Sequence, residues 1–158
     1  MAESLSEQIL SRIDQVAQNY HRLLLVVAPS GAGKTAALQA VGARTGAPLV
    51  NLNLELSRRL LDLSERQRAL SLPTLLGSIL NELKGEVLLL DNIELLFDPA
   101  LRQDPLRLLQ NLSRNRTLVV SWNGTIQDGH LIYAEPGHPE YQRRPAKELV
   151  IVPEENAP

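Results

Sequence analysis

Eight consecutive residues, Ala28-Pro29-Ser30-Gly31-Ala32-Gly33-Lys34-Thr35, have the composition of a device for holding an anion. Gly31 and Gly33 let successive backbone N–H groups turn inward, Lys34 supplies a mobile positive charge, and the Thr35 hydroxyl is a hard oxygen suited to Mg2+. A helix opening at Lys34 aims its positive end at the same anion. These features predict a site for ATP with Mg2+, in which Ser30, Gly31, Ala32, Gly33, Lys34, Thr35 and Ala36 form the cradle. Lys34 reaches the β- and γ-phosphates and Thr35 ligates the metal. The bare pattern arises by chance in roughly one chain in a hundred of this length. Its context is what the mechanism requires: the apolar run Leu23-Leu24-Leu25-Val26-Val27 precedes it, and an Ala-rich stretch from Lys34 to Arg44 follows.

Such a loop needs a carboxylate at the end of a neighbouring strand to hold the water shell of the metal. Val87-Leu88-Leu89-Leu90-Asp91 ends on one, which makes Asp91 the second metal-site residue; the plainer alternative is a turn residue closing a strand. Hydrolysis also needs a group that orients and deprotonates water. Asn92, directly after Asp91, positions water but takes no proton. Glu94 serves as base only if the chain turns tightly after Asp91, and is otherwise a surface acid. The sequence therefore supports binding more directly than turnover.

The elements that carry these residues follow from apolar spacing. Leu5, Ile9, Ile13, Val16 and Tyr20 fall on one helical face, with Ser4 and Glu7 as a capping box, so a helix is expected over 4–20. After the loop, a helix from Lys34 ends at Gly46, and Pro48–Leu52 reads as a strand. Leu56, Leu60 and Leu63 indicate a short helix, and a longer one has Pro73 near its first turn and Gly85 at its close. Asp104-Pro105 opens another helix, Thr117–Ser121 is a strand, and 124–146 reads as a loop with one short strand at Leu131–Ala134. Leu149–Val152 is the last strand. Buried strands alternating with helices predict an α/β fold, a parallel sheet flanked by helices.

The chain of 158 residues fits one domain, 1–152, with a polar tail over 153–158. Aromatics make up 3% of it, so Leu, Val, Ile and Ala must build the core. The absence of cysteine excludes disulfides, thiol nucleophiles and Cys-ligated zinc, and fits a reducing, cytoplasmic setting. The acidic, polar start is unlike a signal peptide, and no apolar run approaches the ~18 residues of a membrane span. A net charge of −2 argues against a dedicated nucleic-acid binder and restricts any DNA contact to a local patch. Arg58, Arg59, Arg66 and Arg68 form one such cluster, diluted by Asp62 and Glu65; a solvated amphipathic helix is the alternative. His130 and His138 match no common metal spacing, and Trp122 is more simply a core aromatic than a base-stacking one.

Taken together, loop, second acid and strand pattern resemble the core of AAA+ ATPases. The resemblance implies sheet order 5-1-4-3-2 and a polar residue past the fourth strand that senses the γ-phosphate, a position held by Asn123; Asn123-Gly124 is equally a turn signal. It also implies homo-oligomers in which an arginine from one subunit completes the neighbour's site, with Arg114, Arg116, Arg143 and Arg144 as candidates. The short stretch after Val152 departs from that pattern, which expects a helical lid there.

At finer grain the chain resembles the BrxF family, small P-loop proteins of type 3 BREX bacteriophage-exclusion systems. Asn19-Tyr20-His21-Arg22-Leu23, Asp91-Asn92-Ile93-Glu94-Leu95-Leu96-Phe97, Asp104-Pro105-Leu106-Arg107-Leu108-Leu109 and the segment Tyr133 to Tyr141 carry this likeness. It implies work beside a DNA methyltransferase and other BREX defence proteins. Two functional expectations follow: an assembling ATP-dependent component of that system, or a nucleotide-gated adaptor that does not turn ATP over. A small-molecule kinase, with 128–145 as its lid, lacks any visible acceptor-binding constellation.

Overall fold

The computed structural model describes residues 4–153. Its centre is β1 (Leu23–Ala28), apolar at every position. Alternate side chains of a strand leave opposite faces, so such a strand needs cover on both. Leu23, Leu25 and Val27 join one apolar cluster while Leu24 and Val26 join another. The first cluster packs under α3 (Leu52–Leu60), α4 (Glu65–Asn81) and α5 (Pro105–Leu112); the second lies under α1 (Leu5–Val16) and α2 (Lys34–Thr45). The result is a five-stranded parallel sheet between two layers of helices.

The remaining strands of this sheet are β2 (Leu49–Asn51), β3 (Val87–Asp91), β4 (Thr117–Asn123) and β8 (Val150–Val152). They lie in the order β2-β3-β4-β1-β8, which is the order expected from the resemblance. β1 runs parallel to β4 with Ala28 opposite Asn123, and β2 runs parallel to β3 with Asn51 opposite Asp91. Strand ends from distant parts of the sequence thus share one edge of the sheet.

α3 opens at Leu52, read from the sequence as the end of a strand, because the Asn51 side chain caps it by accepting from Leu54 N. It stops at Leu60, which leaves Leu63 outside it. Three further elements differ from the sequence expectation. α1 stops at Val16, because i→i+3 bonds from Gln18 to Gln15 and from Asn19 to Val16 tighten the chain into the turn before β1. Tyr20 is therefore 68% exposed and not part of the buried face. α4 begins at Glu65, where Ser64 and Gln67 form a capping box, so Pro73 sits in mid-helix and not in the first turn. A proline there removes an N–H and frees the carbonyl four residues back. Gln103 Nε2 donates to that carbonyl, Ala69 O, at 3.0 Å, replacing the lost bond from outside the helix.

The segment 124–146 is the third of these. It forms a second, antiparallel sheet of β5 (Thr125–Gln127), β6 (His130–Tyr133) and β7 (Gln142–Pro145). Asp128 and Gly129, with φ of 51° and 72°, make the two-residue turn that joins β5 to β6, a strong Asp-Gly hairpin signal. The predicted tail beyond 153 lies outside the described residues, among which no helix is long and apolar enough to cross a membrane.

The substitute for the proline-broken bond is testable by a double-mutant cycle. Gln103→Ala should cost about 1–2 kcal/mol in urea unfolding of the natural sequence. In a Pro73→Ala background, where residue 73 again has an N–H for Ala69 O, the same substitution should cost clearly less.

Candidate functional site

The turn between β1 and α2 holds the anion-binding candidates. Gly31 and Gly33 have φ of 83° and 91°, a region open to glycine and costly for residues with a Cβ. Ser30, Gly31, Ala32, Gly33, Thr35 and Ala36 are exposed at this edge, as a cradle must be. Lys34, by contrast, is only 5% exposed. Its Nζ donates to Ala28 O and Pro29 O, each at 2.8 Å, which holds the ammonium against the first residues of the turn. Burial lowers the Lys34 pKa from its usual value, and the carboxylates of Asp91 and Glu94 oppose that shift.

Asp91, at the end of β3, is where three elements meet. Its Oδ2 accepts a hydrogen bond of 2.6 Å from Thr35 Oγ1 on α2, across 56 residues of sequence. Its Oδ1 accepts one of 2.5 Å from Ser121 Oγ on β4. Asp91 is 6% exposed and Ser121 4%, so these bonds lie in low dielectric, where a charge-assisted bond is strong and an unpaired carboxylate expensive. Thr35 and Asp91 place a hydroxyl and a carboxylate together, a hard-oxygen pair of the chemical type that Mg2+ accepts as ligands. Among the described residues no group of three or more His, Asp or Glu could hold a metal unaided.

The chain does turn tightly after Asp91. Asn92 has φ 54°, a left-handed conformation that asparagine tolerates better than most residues, and its carbonyl accepts from Asn53 N at 2.8 Å. This gives the residue type at 92 a backbone reason. The side chain of Asn53 fixes the next step, accepting from Leu95 N at 2.8 Å. Glu94 opens a short 3-10 turn, Glu94–Phe97, and its Oε1 accepts from Asn123 Nδ2 at 2.9 Å. The structure thus brings Glu94 and Asn123 together at the edge where Asp91 and Lys34 stand. Neither Ser121 nor Asn53 was singled out by sequence reading. A serine inside an otherwise apolar buried strand was the available signal for the first; nothing local marks the second.

Gly124 follows Asn123 with no left-handed φ to explain it. A Cβ there would sit 1.9 Å from Ile132 O, so glycine is needed for close approach of β6. Trp122 is fully buried and donates from Nε1 to Ile132 O at 3.2 Å; Phe97 stacks on Tyr133 with centroids 3.6 Å apart. These contacts clamp the second sheet to the site.

The candidate arginines separate by position. Arg114 and Arg116 precede β4, whose far end carries Asn123, so a strand length on the order of 20 Å divides them from the edge that carries the glycine turn. Arg116 donates to Leu80 O, Leu83 O and Gly85 O at 2.7, 2.7 and 3.0 Å, closing the C-terminal end of α4. Arg114 lies over the Tyr20 ring, 4.8 Å from its centroid. Arg144 pairs with Asp104 at 2.7 Å, and Arg143, its neighbour on β7, has no ion pair among the described residues. In the other cluster, Arg58 pairs with Glu55, Arg59 with Glu82 at 2.6 Å, and Arg68 donates to Leu63 O; Arg66 is exposed. His130 and His138 each bond to backbone within two residues, as turn residues do.

Comparison of the chain with models of protein families, with curated proteins and with solved structures finds no match to any of them.

Burial, with Glu140 and Glu94 nearby, pushes the Tyr133 hydroxyl from 10.0 up to about 12. The folded state therefore keeps a proton that the unfolded chain releases, so stability should fall as pH rises from 10 toward 12. Phenolate absorbance of a Tyr20→Phe, Tyr141→Phe variant, leaving Tyr133 alone, should titrate well above 10; titration at 10 would contradict the packing described.

Proposed function

We propose that this chain is a P-loop NTPase that binds ATP with Mg2+. The observation that carries the reading is the 2.6 Å bond between Thr35 and Asp91, with the Lys34 ammonium beside it. A hydroxyl opening a helix, a buried carboxylate ending the next strand but one, and a lysine at a turn with two left-handed glycines form one constellation. The constellation suits a metal-bound polyphosphate. The terminal phosphate would displace the loop carbonyls from Lys34, the backbone N–H groups of 31–35 would cradle the phosphates, and the Thr35 hydroxyl and the Asp91 carboxylate would hold Mg2+, which would neutralise phosphate charge.

Slow hydrolysis fits the same site. Glu94, oriented by Asn123, is the acid available to take a proton from water, while Asn92 is spent on the turn. The wider setting, an assembling component of a bacterial BREX phage-defence system beside other BREX proteins, is carried by the resemblance of the quoted segments. DNA contact in that setting would fall to Arg58 and Arg66, the two exposed members of the arginine cluster. The second reading is an adaptor gated by nucleotide without turnover, favoured by the Glu94–Asn123 bond if it holds the carboxylate away from water.

ATP binding and turnover by the purified protein separate these readings. Lys34→Ala should abolish binding while the fold persists; unchanged ATP affinity would sink the site assignment. Glu94→Gln keeps a hydrogen-bond acceptor for Asn123 but removes the base, so turnover should fall roughly 100-fold or more with binding retained. Turnover equal to that of the natural sequence would exclude Glu94 as the base, and no turnover in either protein would leave the adaptor reading.

A further inference from the structure

A cavity of about 400 Å3 opens between the phosphate loop and the second sheet. Pro29 and Ser30 line it from the loop, Asn123 from the end of β4, and Arg143 from β7. Pro29 O is one of the two carbonyls that hold Lys34 Nζ, and Asn123 holds Glu94, so the cavity adjoins the end of the site where a terminal phosphate would lie. Arg143 is directed there by its own strand. Neighbouring residues of a strand point to opposite faces, and Arg144 is tied to Asp104 on one face, which leaves Arg143 on the other. The strand is in turn fixed to β6, and β6 to the main sheet through Trp122 and Gly124.

We propose that Arg143 acts in cis, reaching across this cavity to the terminal phosphate of a nucleotide held by the same chain, and so makes the site prefer triphosphate over diphosphate. This rests on the nucleotide reading above. Asp128 and Glu135 line the same cavity, so its one arginine faces two carboxylates. A free anion is repelled from such a space. A phosphate already gripped by the loop enters only its near end, where the guanidinium can form a charge-assisted hydrogen bond that a diphosphate is too short to make. The other three candidate arginines are each committed elsewhere, to carbonyls, to a ring and to Asp104.

The test is equilibrium binding of ATP and of ADP, each with Mg2+, to the natural sequence, Arg143→Ala and Arg143→Lys over a protein dilution series. Arg143→Ala should lose about tenfold or more in ATP affinity, the worth of one charge-assisted bond, with ADP affinity unchanged. Arg143→Lys should recover part of it, and the triphosphate preference should not depend on protein concentration. An equal loss for both nucleotides, no loss, or a preference that disappears on dilution would overturn the proposal; the last would assign Arg143 to a neighbouring subunit. Failure of the natural sequence to bind either nucleotide would overturn the P-loop reading, whereas ATP binding indifferent to Arg143 would overturn this inference alone.

Discussion

The two hydrogen bonds accepted by Asp91 tie together elements that the chain order keeps far apart. One comes from Thr35 at the start of α2, the other from Ser121 near the end of β4, and the carboxylate itself ends β3. A carboxylate this buried is costly unless both oxygens are satisfied, and removing either hydroxyl would leave one bare. The parallel register of β1, β3 and β4 is what delivers all three groups to one edge. The same register places Asn123 opposite Ala28, where Gly124 N donates to Ala28 O, so the glycine-rich loop, the carboxylate and Asn123 are built on a single frame.

Around that frame, polar side chains repair backbone groups that the fold would otherwise strand. Gln103 answers the carbonyl freed by Pro73, Arg116 answers three carbonyls at the end of α4, and Asn53 answers the N–H of Leu95. Each acts across a gap in sequence and each removes a buried or half-buried unpaired group, a liability of about 1–3 kcal/mol apiece. Arg116 illustrates why residue type and position in sequence are a poor guide to role. An arginine before a strand can meet a phosphate or close a helix, and only the location of the helix end decides between them.

The second sheet departs most from what linear reading anticipates, and it bears directly on the site. Its strands are three or four residues long, too short for alternation to stand out among Gly, Pro and His. Asp128-Gly129 did carry a hairpin signal, but a lone hairpin is marginal in water and gains its stability from packing. That packing comes from Phe97, Trp122 and Tyr133, one aromatic from each of three segments, in a chain with few aromatics to spend.

The sequence by itself determined the layered α/β class, the central strands and the glycine-rich turn. Those features depend on local properties: unbroken apolar runs, helical spacing, and backbone angles that glycine reaches and other residues resist. It also marked Asp91 as a strand-end carboxylate. Tertiary structure alone decided that Asp91 meets both Thr35 and Ser121, that Asn92 serves the turn that delivers Glu94 to Asn123, and that Arg143 faces a cavity while Arg144 is paired. Each of these depends on which strand lies beside which and in what register. That choice is settled by burial summed over the whole sheet and leaves no trace in the few residues that benefit from it.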